Sequence, residues 1–181
     1  MIGLREETAL AARLIHRGRM DDIERIKREL VELLPRLRRF ARHLTRHVAD
    51  ADDVLQVALE KALGRLDQWQ RGTRLDSWMF TIVRNTWLDE VRSRARRDDH
   101  APLDEHAEVA APDFATDEAM AIQQALSRLP EEQSTCLMLV LVEGLSYKEA
   151  AAVLEIPIGT VTSRLARGRE ALQAVLGPQA G

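Results

Sequence analysis

A chain of 181 residues is long enough for one or two small cores, and its net charge of −3 argues against a free-standing, tight DNA binder. Ala, Leu, Arg and Glu far outnumber Gly, Pro and the aromatics, which favours helix over strand. The single cysteine, Cys136, excludes an internal disulfide, and the histidines show no metal-ligand spacing beyond His43 and His47. We therefore expect neither a metal nor a cofactor. No segment has the length and apolarity of a membrane span or the form of a signal peptide, so a reducing cytoplasm is the expected compartment, without membrane insertion.

Residues 1–21 read as an N-terminal arm with weak patterning. Residues 22–97 then carry strong helical periodicity. Ile23, Ile26, Leu30 and Leu33 or Leu34 share one face, and Pro35 is expected to break that run and open a new helix bearing Leu37, Phe40, Ala41 and Leu44. Asp50 is a candidate N-cap for the next helix. There Val54, Leu55, Ala58, Leu59, Ala62 and Leu63 line the apolar side, and Asp52, Asp53, Gln56 and Glu60 lie opposite. Trp69 closes this stretch, and Gln70 to Thr73 reads as a loop. A long helix follows from about Leu75 to Arg97, ending in a basic cluster that includes Arg92, Arg94 and Arg96.

Residues 98–117 change character: seven acidic side chains occur with no Lys or Arg, which predicts a flexible acidic linker. A second helical domain spans 118–176, followed by a tail at 177–181. Pro130 should open a helix from Glu131 to Val142, ended by Gly144. The fold expected is thus all-α, with two small helical domains joined by the linker.

The last part of that second domain reads as helix, tight turn, helix. Ser146 and Glu149 form an S-x-x-E capping box, and Ile156-Pro157 interrupts the chain before a helix from about Ile158. On that helix Val161, Leu165, Gly168 and Leu172 make one stripe. Gly159, Thr162, Ser163, Ala166 and Arg167 face the other way, flanked by Arg164 and Arg169. Small residues allow close approach to a groove, hydroxyls and Arg reach base edges, and flanking Arg meets phosphate. The pattern alone also fits an ordinary helical hairpin with a solvated basic face.

In order, ADADDVLQ, WQRGTRLDSWMFTIVRNTWLDEVR, an acidic linker, LPEEQ, GLSYKEAA and GTVTSRLARGREAL resemble bacterial sigma factors of the sigma-70 superfamily. The match is to the small two-domain extracytoplasmic-function (ECF) group and covers about residues 22–176. This resemblance implies a first domain that binds core RNA polymerase and the promoter −10 element, and a second that binds the −35 element. It also implies a linker threaded through polymerase and an anti-sigma factor as a masking partner. Polymerase holding the promoter DNA would explain why the chain is not basic.

By that resemblance, Asp52, Asp53, Gln56 and Glu60 are the polymerase contacts. Trp69, Arg71, Thr73, Arg74, Phe80, Arg84, Asn85 and Arg92 are the −10 contacts; Trp78 resembles part of the same reader, and Trp78 and Trp87 read equally as plain core. Gly159, Thr160, Thr162, Ser163, Arg164, Ala166 and Arg167 are the −35 contacts, with Gly159 and Thr160 against phosphate at the helix N-terminus. Three departures stand out: Val57 where an acidic residue is usual, Glu155 where many relatives have Gly, and Thr162 where several carry Arg or Lys. A left-handed backbone would strain Glu155, so the turn is expected to differ. A stand-alone helix-turn-helix regulator is the competing function, but it leaves residues 22–97 unexplained. An enzyme is not expected, because no nucleophile with a base and no phosphate loop occurs.

Overall fold

The structure is a computed structural model that describes residues 3–66, 69, 72–97 and 125–176. The linker at 98–117, residues 118–124, the tail at 177–181 and Arg71 lie outside the described residues. The elements are α1 (Gly3–Thr45), α2 (Val48–Leu63), α3 (Leu75–Arg97), α4 (Glu131–Leu137) running into a π turn (Met138–Val142), α5 (Tyr147–Leu154) and α6 (Ile158–Leu176). Among the described residues none is in a strand, as the composition requires.

Two compact units divide the chain, Met1–Leu34 and Pro35–Gly181. In the first, Ile26 and Leu30 are buried at helical spacing. The break expected at Pro35 does not occur, because α1 carries this proline inside it. Proline removes one intrahelical hydrogen bond, to the carbonyl four residues earlier. That residue, Val31, is 65% exposed, so water can take up the freed carbonyl while the helix continues.

In the second unit, Leu37, Phe40 and Ala41 of α1 are fully buried, as are Ala51, Ala58 and Ala62 of α2 and Met79, Phe80 and Val83 of α3. The Phe40 and Phe80 rings meet edge to face, with centroids 5.1 Å apart. Asp50 is not the N-cap of α2; His47 holds that position, and Asp50 lies in the first turn. Its carboxylate is taken instead by Arg94 of α3, with Nη2 and Nη1 donating at 2.7 and 3.1 Å. That bidentate pair joins the first turn of α2 to the last turns of α3.

The C-terminal elements surround a second core of Leu137, Leu139, Val153, Val161 and Leu165. The helix expected over Glu131 to Val142 is α-helical only to Leu137, and its last residues form the π turn. Glu143 N–H donates to Met138 O, and Leu145 N–H reaches back to Leu139 O at 3.0 Å. Gly144 takes φ 71°, a value that glycine tolerates without a Cβ clash. The extra residue in the π turn aims Glu143 inward, and its side chain has no exposed surface.

Glu143 connects the two cores. Its carboxylate accepts from Arg36 Nε at 3.0 Å and Arg39 Nε at 2.8 Å, while Arg36 Nη2 donates to the Glu143 carbonyl. Arg36 also donates to Asp76, and Arg74 donates to both Asp76 oxygens. Burial alone would raise the Asp76 carboxyl, but hydrogen bonds from Arg74, Arg36 and the Ser77 N–H hold it below the usual range. A further cross-link pairs His43 Nε2 with Thr135 Oγ1 at 3.3 Å.

The apolar stripe expected on the last helix is the packed face of α6. Val161, Leu165 and Gly168 are buried there. A Cβ on Gly168 would lie 2.9 Å from Leu137 Cδ1, so a larger residue there would force the buried Leu137 side chain to shift. We expect Gly168→Val to overpack this contact and cost about 1–3 kcal/mol. Denaturant unfolding checks this as a lower midpoint at unchanged slope.

Burial first, and then Arg46, lower the His43 pKa from 6.5 to about 4. The unfolded chain therefore binds more protons between those values, so stability is full above pH 6.5 and is lost as pH falls towards 4. His43→Gln should flatten that part of the stability–pH curve, measured by urea unfolding at a series of pH values.

Candidate nucleic-acid and polymerase interface

The capping box forms as the sequence requires. Glu149 N–H donates to Ser146 Oγ at 3.2 Å, and Ser146 N–H donates to Glu149 Oε2 at 2.8 Å. These two bonds satisfy orphan donors at the start of α5 and fix its direction. The turn after α5 does not avoid the left-handed region: Glu155 adopts φ 54°, ψ 42° and its N–H bonds to α5 carbonyls. A side chain in that region costs on the order of 1–2 kcal/mol. The contact made by the Glu155 carboxylate is described below.

On α6, Gly159, Thr162, Ser163, Ala166 and Arg167 are exposed, as the −35 reading needs. Thr162 Oγ1 donates to Ile158 O and Ser163 Oγ to Thr160 O, both at 3.0 Å. Each hydroxyl proton is thereby spent within the helix, leaving oxygen lone pairs to face outward as acceptors. Arg167 rests lightly on Ser163 O at 3.4 Å and is otherwise extended from the surface. Arg164 differs: it donates to Glu132 of α4 at 2.6 Å and is only 21% exposed. Thr160 N–H donates to Pro157 O at 2.9 Å, so it is not available to a phosphate.

The residues assigned to the −10 element separate into distinct environments. Phe80 is completely buried between Phe40 and the Arg36 guanidinium, which lies 5.5 Å from its ring centroid. It is a core residue here, and its reading as a DNA contact is corrected: a base cannot reach it without opening the α1–α3 packing. Trp69 is half-buried, and its indole N–H is buried with no hydrogen-bond partner among the described residues. Thr73 is exposed on the loop before α3. Arg92 is exposed, with only a distant 3.8 Å pairing to Asp89.

Arg74, Arg84 and Asn85 all reach the helix-turn-helix. Arg74 donates to Glu149 at 3.3 Å, Arg84 to Val153 O at 3.5 Å, and Asn85 Nδ2 to Glu155 at 3.4 Å. Burial depresses the Arg84 pKa, with the Glu155 charge opposing that effect. Burial pushes the Glu149 carboxyl up, but the hydrogen bonds with Ser146, and then the nearby Arg74 charge, hold it below its usual range.

Asp52, Asp53, Gln56 and Glu60 form an exposed row on α2. Asp52 accepts from Arg38 Nε at 3.0 Å, and Gln56 donates to Glu60 at 3.1 Å. Asp53 also lines a groove between α2 and α3 with Val57, Lys61, Asp89 and Glu90. Val57 is 42% exposed, giving this acidic surface an apolar centre. Asp89 and Glu90 were not singled out in the sequence, because their membership in the surface depends on how α3 crosses α2.

Residues 30–97 match the family model for sigma-70 region 2, and residues 119–172 match that for sigma-70 region 4. The ECF RNA polymerase sigma factor EcfG of Rhodopseudomonas palustris is 34% identical over 83% of this chain and 84% of its own length. The chain belongs to the ECF sigma factors. The family member SigM of Mycobacterium tuberculosis is 38% identical over 78% of this chain and 71% of its own. Among solved structures, the sigma factor RpoE in complex with the anti-sigma factor NepR from Bartonella quintana matches with a TM-score of 0.75 and 33% identity. That match covers 84% of this chain and 97% of the other. CnrH, solved with the cytosolic domain of CnrY, shares the fold at a TM-score of 0.61 and 24% identity, over 86% of this sigma factor and 89% of its own chain.

Within the region 2 segment, the arginines at the basic end of α3 differ in their surroundings. Arg94 is held by Asp50 and Glu90 and lies 5.8 Å from the Trp87 ring centroid, whereas Arg92 extends into solvent. Hydrogen bonding to Asp50 and then Glu90 raises the Arg94 pKa, so its charge is fixed. Arg94→Ala should lower stability by about 1 kcal/mol, since its partly exposed pairs are screened by solvent, while Arg92→Ala should leave stability unchanged. Thermal melts of the two variants side by side check this.

Proposed function

We propose that this sigma factor binds core RNA polymerase through the α2 row and directs it to promoters that it reads with two separate surfaces. The observation that carries the reading is one chain bearing region 2 and region 4 matches in order, with the α6 reader face exposed. Asp52, Asp53, Gln56 and Glu60 present an acidic face suited to a basic partner surface, where charge sets encounter rate as well as affinity. Arg71, Thr73, Arg74, Arg84, Asn85 and Arg92 are the −10 contacts, with Trp69 available to stack on an unpaired base. Gly159, Thr162, Ser163, Ala166 and Arg167 contact the −35 element, and Arg164 meets its phosphate backbone on leaving Glu132.

In this reading the chain is a specificity factor and the polymerase performs the chemistry, in the cytoplasm where both meet DNA. An anti-sigma factor is the expected inhibitor, by analogy with the RpoE relative crystallised with NepR. A stand-alone helix-turn-helix regulator would not need the region 2 segment.

Run-off transcription with core polymerase and the purified chain should give a product from a specific promoter. Arg167→Ala should lower −35-dependent initiation by the equivalent of about 1–3 kcal/mol if it pairs with a guanine edge. Absence of any promoter-specific product, together with sequence-specific binding by the free chain alone, would decide for the stand-alone regulator.

A further inference from the structure

One arginine of the α6 reader already holds an anion. Arg164 Nη2 lies 2.6 Å from Glu132 Oε2 on α4, and the Arg164 side chain is only 21% exposed. The Cys136 sulfur lies against the same guanidinium. The other two arginines of α6 are exposed, and neither is in an ion pair among the described residues. Arg167 reaches Ser163 O at 3.4 Å and Arg169 the Tyr147 hydroxyl at 3.5 Å.

Glu132 stands in the first turn of α4 beside Glu131, and its side chain is 71% exposed. Because α4 packs directly on α6, the carboxylate is set against the reader helix by rigid elements. An ion pair with so exposed a member adds little to stability, so its main effect is on the charge that α6 presents. A carboxylate oxygen at this distance takes the place of a phosphate oxygen gripped by an arginine, since both acceptors fit the same guanidinium edge. The two cannot share that edge, because they carry like charges.

We propose that Glu132 is a competitor for promoter phosphate built into the chain: it occupies Arg164 and so lowers the affinity of the α6 reader for DNA. This rests on the reading of Arg164 as a −35 phosphate contact. Phosphate that displaces Glu132 frees a carboxylate, which recruits a cation of its own, so this contact releases no net counterion. With Glu132 neutralised, the same contact releases one. The α6 face therefore binds DNA weakly by itself, although three arginines lie along it.

The test assembles holoenzyme from core polymerase and the full chain and measures its affinity for a promoter fragment, found by run-off transcription, across a salt series. Glu132→Gln should tighten binding about two- to fivefold at low salt. It should also steepen the fall of log affinity with log salt by about one. Glu132→Ala should behave alike. Glu131→Gln removes the same charge one residue away without freeing Arg164, and should gain clearly less. Adding Arg164→Ala should reduce the Glu132→Gln gain to the level of Glu131→Gln. Unchanged or weaker binding by both Glu132 variants overturns the proposal, as does an equal gain from Glu131→Gln or a gain that survives Arg164→Ala in full. If the parent forms no promoter complex with core polymerase, the sigma-factor reading fails instead. Fluorescence anisotropy of the free chain with a labelled random duplex at low salt then judges the competitor by itself: the Glu132 variants should bind more tightly than the parent and Glu131→Gln, and equal binding overturns it.

Discussion

A buried carboxylate between two guanidinium groups governs the arrangement of this molecule. Glu143 has surrendered all contact with water, and taking a carboxylate out of water is costly unless its oxygens are matched by charged donors. Arg36 and Arg39 supply those donors from one face of α1, four positions of sequence that begin just after Pro35. The same Arg36 lies over Phe80 and bonds Asp76, so one guanidinium serves the core, the ion pairs and the backbone of the π turn together. Removing either side leaves charge without a partner in a place that water does not reach, which is why the two cores behave as one unit.

Local chemistry was legible where it depends on near neighbours in the chain. The Ser146–Glu149 capping box, the span of α3 and the start of α6 follow from spacing alone, because each is decided within one or two turns. The packed stripe of α6 was also readable, and its glycine proved to be a point of close approach to Leu137. Pro35 misled because its local cost is real, but a continuous buried face on both sides of it outweighs one missing hydrogen bond. Asp50 misled in a similar way: it has the chemistry of a cap, yet a bidentate arginine from a distant turn is the stronger partner.

The candidate site was legible as residue types and much less as surroundings. Thr162, Ser163 and Arg167 stand outward as a helical wheel places them. Phe80 shows the limit, since an aromatic in a segment expected to contact DNA reads the same whether it points at a base or at Phe40. Arg36, Arg39 and Glu143 escaped notice for a related reason. They are far apart in sequence, and no periodicity joins an arginine on α1 to a glutamate after the π turn.

The π turn gives the molecule an unusual sensitivity to chain length. Each residue added to or removed from a helix rotates everything after it by about 100°. The five residues Met138–Val142 contain one more than a regular turn would hold, and Glu143 follows directly. Deleting a single residue there would restore ordinary helix and swing the carboxylate away from both arginines, without altering any charge. The pairing of the two halves is thus encoded partly by a count of residues, a property that no substitution table would reveal.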